Sequence, residues 1–333
     1  MRITPETIWE IAQETVAQRV RADPTILAAY LCGAVLEEDF LLGGTLDIDI
    51  VLIHIDQVSP AREIMRLTDE VHIDLAHHPQ KQYEPPRALR THAWLGPTLF
   101  ACKPLYDQRH ILDFIQASVR GMFNNPQTVL ERARPQAEHA RQMWFELKDY
   151  RDNIGLREMR LYFKTLEHAA NAIALLSGTP LTERRFLVKF AQRAAAIARP
   201  GLFMGMIGLL GGIEVQRQDL QNWLALWQES YAALPETPRS LALHPARRAY
   251  YQRALQALIS GEEPRTALWP LLTTWLEMVG EMGAESLAAQ GWQEVTAKLG
   301  LDGQGFSQRL AALDAFLDQV EEAIEEWAKK NGA

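Results

Sequence analysis

Residues Leu46 to Ile55 read LDIDIVLIHI, and this stretch decides the fold of the first part of the chain. It is dense in β-branched residues and alternates at its start, so it reads as the clearest strand in the sequence. Side chains in a strand alternate with period two, which puts Asp47 and Asp49 on one face and Ile48 and Ile50 on the other. Two adjacent carboxylates repel, and the usual remedy is a divalent cation between them. Alternation of acid and aliphatic also suits a half-exposed strand, so the pair needs support from its surroundings.

That support lies on both sides. Upstream, Ile26 to Cys32 (ILAAYLC) is a continuous apolar run, as expected of a strand buried on both faces, and it ends at Gly33-Ala34. A small pair at a strand end lets phosphate approach the backbone N–H groups. Further upstream, Thr4-Pro5 reads as the cap and first position of a helix, with Ile8, Ile11, Thr15 and Arg19 marking its spacing. Downstream, Arg62 to Leu67 and Val71 to His77 flank Thr68-Asp69-Glu70 and read as a hairpin with a three-residue loop. Asp74 lies in its second arm between apolar neighbours. Asp47, Asp49 and Asp74 together make a hard-oxygen donor set suited to Mg²⁺ with positions left for phosphate oxygens. His72, His77 and His78 beside Asp74 offer a weaker transition-metal reading. Pro97 to Tyr106 reads as a further strand, weakened by Pro104.

After His110 the texture becomes helical, with eight or nine helices expected. Turn chemistry falls at Asn124-Asn125-Pro126, Asn153 to Gly155, Ser177 to Pro180, Arg199-Pro200 and Glu236 to Pro238. The last helix is expected to be capped by Ser307, with Leu310, Leu313, Leu317, Val320, Ile324 and Trp327 on one stripe. The fold class is therefore α+β: a small mixed β-sheet domain with flanking helices over residues 1–122, then an all-α helical bundle domain over residues 123–333.

Composition narrows the function. The 333 residues are 47% hydrophobic and 23% charged, which excludes general disorder. The net charge of −8 argues against a dedicated nucleic-acid surface, because duplex binding rests on many Lys and Arg contacts to phosphate. The longest apolar stretch, Gly201 to Ile213, is too short and too glycine-rich to span a membrane. No signal-peptide pattern is visible at the start, and two cysteines, Cys32 and Cys102, fit a reducing compartment, so a cytoplasmic location is expected. Oligomeric state, a homodimer included, is left open.

A strand, a glycine with a small residue, a gap of twelve, then Asp47-Ile48-Asp49 in an apolar strand resembles the polymerase-β-type nucleotidyltransferases. The small bacterial branch with a helical C-terminal domain, which includes aminoglycoside nucleotidyltransferases, is the most similar. The resemblance covers about residues 26 to 115, including Lys103-Pro104-Leu105-Tyr106-Asp107. It implies a nucleotidyltransferase domain and Mg²⁺-dependent transfer of a nucleoside monophosphate, by default AMP from ATP, to a hydroxyl of a small acceptor. It implies that Asp47 and Asp49 ligate Mg²⁺, that Asp74 is the third acid as ligand or base, and that Gly33 and Ala34 line the triphosphate. Ala34 stands where the family usually has Ser or Gly. Glu37-Glu38-Asp39 stands where Arg or Lys is usual. Each such acid, if it faced the pocket at ~6 Å, would disfavour an anion by ~3 kcal/mol. The acids are thus expected to face solvent; the alternative is a non-catalytic relative that binds or regulates.

The resemblance also implies an acceptor site walled in part by the helical half, with a carboxylate as base. On the helix expected over Leu156 to Leu176, Arg160, Lys164, Glu167 and Asn171 form one polar stripe. Glu167 is the candidate base, and Arg160 and Lys164 are candidates to hold phosphate. The plain alternative is a solvated face with a Lys164–Glu167 ion pair. Arg184, Arg185, Lys189 and Arg193 form a basic cluster on the following helix, open to the same two readings. Arg132 or Arg134 with His139 has the spacing of helical ribonucleases, a common coincidence in helical sequence.

Overall fold

The computed structural model describes residues 3–149 and 154–333. The chain divides into two compact units, Met1–Thr128 and Val129–Ala333. The turn expected at Asn153 lies outside the described residues.

The first unit opens with helix α1 (Pro5–Ala22), where the Thr4 hydroxyl accepts from the Thr7 amide at 3.3 Å and Pro5 takes the first position. Strands β1 (Ile26–Cys32), β2 (Leu46–His54), β3 (Arg62–Arg66) and β4 (Val71–Pro79) follow. Helix α2 (Leu95–Ala101), strand β5 (Lys103–Tyr106) and helix α3 (Ile111–Arg120) complete the unit. The sheet order is β3-β4-β2-β1-β5; β2 and β4 are parallel, and the other neighbours are antiparallel.

Two apolar cores sit on the two sheet faces. Ile48, Ile50 and Leu52 of β2 pack with Ile8, Ala12 and Val16 of α1. The buried α1 stripe is thus Ile8, Ala12 and Val16 at four-residue spacing; Ile11, Thr15 and Arg19 flank it. On the other face, Val51 and Ile53 pack with Tyr30, Leu99, Leu112, Ile115 and Val119. Each such fully buried aliphatic side chain contributes about 1.5–3 kcal/mol relative to exposure. The hairpin of β3 and β4 forms, with Leu67–Glu70 as its four-residue turn rather than three; the Thr68 hydroxyl accepts from the Glu70 and Val71 amides at 3.1 Å.

The strand expected over Pro97 to Tyr106 is corrected. Residues through Ala101 are helical, and only Lys103–Tyr106 extends. Leu95, Leu99 and Cys102 are buried at helical spacing. Pro97 lies in the first helical turn, where its missing N–H has no partner to lose. Pro104 is tolerated because β5 is an edge strand.

The second unit is helical: α4 (Pro126–Leu147), α5 (Leu156–Ala174), α6 (Phe186–Ala196), α7 (Gly201–Leu209), α8 (Arg217–Ala232), α9 (Arg248–Ser260), α10 (Leu268–Met282), α11 (Leu287–Leu299) and α12 (Gly303–Asn331). With α3, the described residues hold ten α-helices after His110, more than the eight or nine expected. The glycine-rich run at Gly201 itself forms a short helix, α7. No helix among the described residues is long and apolar enough to cross a membrane. Helix α12 starts a turn earlier than expected, capped at Asp302, so Ser307 lies within it. Phe306 is the cause: it is 1% exposed, with its ring 5.1 Å from that of Tyr162, which draws the first turn into the core. The expected α12 stripe is buried from Leu310 to Ile324, and Trp327 is half-buried. Arg141 of α4 ties to α12 through Asp314 and Asp318 at 2.6 Å and Glu321 at 2.8 Å.

Acid pH acts on this packing through His168. Its Nδ1–H donates to Gln136 Oε1 at 2.8 Å, and His139 lies beside it. Burial, then the Lys164 and His139 charges, pull the His168 imidazole down from 6.5 to about 4. The unfolded chain then binds more protons between these values. Stability from the neutral ring is complete above about pH 6.5 and is lost as pH falls toward 4. We expect the melting temperature of His168→Gln to fall less between pH 7 and pH 4.5 than that of the parent. Equal falls would remove His168 as a source of acid sensitivity.

Candidate functional site

The parallel ladder between β2 and β4 sets the site. It pairs Asp49 with Asp74 and Asp47 with His72, so the acids read from two separate stretches arrive side by side. Register partners in neighbouring strands sit about 4.8 Å apart. Asp49 also faces Cys32 across the β1–β2 ladder. Asp47 and Asp49 share the face of Val51 and Ile53. They lie outside the core cluster that covers those two residues, and both are half-buried. The Asp74 side chain, by contrast, is 1% exposed.

Gly33 closes the site from the end of β1. Its φ of +79° and ψ of −162° lie in a region that only glycine occupies freely. A Cβ built on Gly33 would overlap Asp49 Oδ2 and lie 3.0 Å from Asp49 Cγ. The backbone therefore reaches a carboxylate oxygen through the space a side chain would take. Ala34 starts a short 3₁₀ turn over 34–36 and is half-buried. In the acidic loop, Glu38 and Asp39 are exposed and Glu37 is half-buried.

Sequence reasoning missed Arg62. Its Nε donates to Asp74 Oδ1, and its Nη2 lies 3.9 Å from Asp49 Oδ1, so one guanidinium spans the register-paired acids. The available signal was a cation at the head of the strand that pairs with the strand of Asp74.

The donor set bears on metal binding. Mg²⁺ keeps several waters and is usually held by one or two carboxylates plus substrate phosphates. Asp47 and Asp49, two half-buried carboxylates on one face, fit that habit, and the Arg62 cation stands between Asp49 and Asp74. Among the described residues, no three His, Cys, Asp or Glu side chains are grouped to cage a metal by themselves. The three histidines of β4 also diverge. His77 Nδ1 lies 2.9 Å from His54 Nε2, and its Nε2 lies 2.9 Å from Glu63 Oε1. His78 Nδ1 accepts from the Tyr83 hydroxyl at 2.7 Å, and burial pulls its imidazole down to about 4. His72 is buried beside Asp47 in the ladder. Asp107, at the end of the Lys103–Asp107 stretch, accepts from the Ile111 and Asp113 amides at 2.9 Å and so caps α3.

In the helical unit, Arg160, Lys164 and Glu167 line a cavity of about 470 Å³ with Glu146, Trp269 and Glu277. Lys164 Nζ donates to Glu167 Oε2 at 2.8 Å, and Arg160 Nε lies 3.4 Å from Glu277 Oε1. Asn171 leaves the polar stripe: it is 1% exposed and accepts from the Leu181 amide at 2.8 Å. Two members of the basic cluster fasten helices. Arg184 is buried, lies 3.2 Å over the Tyr250 ring and donates to the Tyr250 carbonyl; Arg193 donates to the Ser177 carbonyl at 3.2 Å. Arg134 pairs with Glu325 at 2.9 Å, while the His139 ring lies against His168.

No family model matches the chain, and no curated protein matches it.

Proposed function

We propose that the chain is a nucleotidyltransferase that moves a nucleoside monophosphate, most simply AMP from ATP, onto a hydroxyl of a small acceptor. The observation that carries this reading is the register pairing of Asp49 with Asp74, with Gly33 pressed against the Asp49 carboxylate. Asp47 and Asp49 are the residues to hold a divalent cation, in a cytoplasmic setting where Mg²⁺ and ATP are abundant. When bound, that cation supplies charge neutralisation for the triphosphate and for in-line displacement at the α-phosphorus. Asp49 is oriented by contact with Gly33, and Asp74 is fixed by burial and by Arg62. The exposed Gly33 at the end of β1 is the place where a phosphate would approach the chain beside these acids. Exposure of Glu38 and Asp39 supports the reading, because charges in solvent are screened from an anion.

The test is pyrophosphate release from each nucleoside triphosphate with Mg²⁺ and a panel of small polyhydroxylated acceptors. We expect acceptor-dependent release with at least one nucleotide. Absence of release, together with absence of any thermal shift by every Mg²⁺–nucleotide pair, would sink the proposal in favour of a non-catalytic protein. A nucleotide at 100 times its dissociation constant adds about 2.7 kcal/mol of stability, so binding alone is easily seen.

A further inference from the structure

The two register-paired carboxylates carry a resident counter-ion supplied by the chain. Asp74 cannot escape its neighbours: its side chain is 1% exposed, and it sits in the ladder beside Asp49. A carboxylate taken out of water at such a place needs a positive partner. Arg62 fills the role from β3, the edge strand, with its Nε on Asp74 Oδ1 and its Nη2 3.9 Å from Asp49 Oδ1. The three groups differ in freedom. Arg62 is 47% exposed, Asp49 24% and Asp74 1%, so the guanidinium is the member able to leave.

We propose that Arg62 is an exchangeable internal cation that, from its place on Asp74, competes with a divalent ion at Asp49 and thereby sets how tightly Asp47 and Asp49 take metal. This rests on the nucleotidyltransferase reading. The guanidinium offers only N–H donors, and a divalent ion needs the same carboxylate oxygens as ligands. At Asp49 the guanidinium stands 3.9 Å from Oδ1, so a divalent ion there meets a second cation beside it, and the two repel. A divalent ion at Asp49 would therefore push the guanidinium outward along its flexible stem, toward the solvent that already reaches half of it. In the metal-free protein the same ion pair keeps the acids from repelling each other, so the site is held ready without a bound metal.

The experiment measures binding of Mn²⁺ alone, without nucleotide, by the electron paramagnetic resonance signal of free Mn²⁺, for the parent, Arg62→Gln and Arg62→Lys. The expected result is that Arg62→Gln binds Mn²⁺ at least about tenfold more tightly, the order for removing one unit charge a few ångströms from a divalent ion at the dielectric of water, which reaches half of Arg62. Arg62→Lys falls between, because an ammonium is a point charge without the guanidinium fork. Equal affinity in the parent and Arg62→Gln, or weaker affinity in Arg62→Gln, overturns the competition and leaves the nucleotidyltransferase reading standing. No Mn²⁺ binding by any of the three proteins overturns the competition alone, because the nucleotidyltransferase reading has substrate phosphates complete the cation's shell. Should Arg62→Gln fail to fold, Arg62→Lys carries the test, and an affinity equal to the parent's overturns the proposal.

Discussion

Asp49→Asn is expected to lower pyrophosphate release by about 10³-fold while leaving the melting temperature within a few degrees of the parent. The size follows from removing a charged group that must balance a triphosphate in the transition state, where the loss of one electrostatic contact already costs 10²–10³-fold. The fold should survive for a local reason. Asp49 is half-buried, an amide is isosteric with a carboxylate, and its removal ends the repulsion with Asp74 across the ladder. Arg62 keeps its donor contact to Asp74. The variant therefore separates chemistry from stability. Release above about a tenth of the parent rate would show that Asp49 neither holds metal nor balances the triphosphate, and the site would have to be sought elsewhere.

Gly33→Ala is expected to destabilise the protein by about 2–4 kcal/mol and to abolish whatever activity Asp49 supports. Two costs act together. The φ of +79° with ψ of −162° disfavours any L side chain, at about 1–3 kcal/mol. The new methyl must also displace Asp49, whose Cγ would lie 3.0 Å away. Gly44→Ala gives the comparison. Its φ is +70°, yet a Cβ there meets no atom within 4 Å, so it isolates backbone strain from collision. Denaturant unfolding should show the larger loss in Gly33→Ala, and activity should fall only there. Equal stability losses with activity intact in both would mean that Asp49 can move freely and that Gly33 does not orient it.

Much of this site is local in origin and could be read early. A period-two alternation places Asp47 and Asp49 together whatever the rest of the chain does. The apolar run of β1 followed by Gly33 identifies a buried strand and its exit. Turn residues between Arg62 and Val71 announce the β3–β4 hairpin. Pro97 to Tyr106 went otherwise, because a short apolar run suits a buried strand and a buried helix equally. What decided it was the core that Leu95, Leu99 and Cys102 enter together. The start of α12 was hidden likewise, since Ser307 is a good cap in isolation, and only Phe306 docking against Tyr162 shows that the helix is already under way. The hairpin reading puts Arg62 on the strand beside Asp74, but nothing in the sequence says that its guanidinium meets both carboxylates. Asp49 lies 13 residues upstream and Asp74 12 downstream, and the guanidinium reaches both only once the strands are assembled.

The amino-acid order alone settled which side chains share a strand face, because backbone geometry fixes that alternation residue by residue. It settled the change from strands to helices after His110 for the same reason. Assembly alone decided the partners: that β2 lies parallel to β4, that Asp49 meets Asp74 and not a residue two places away, and that an arginine from the edge strand bridges them. Alternation is unchanged by sliding one strand past another by two residues. The register is therefore fixed by packing both faces of the sheet at once, and no single segment carries that information.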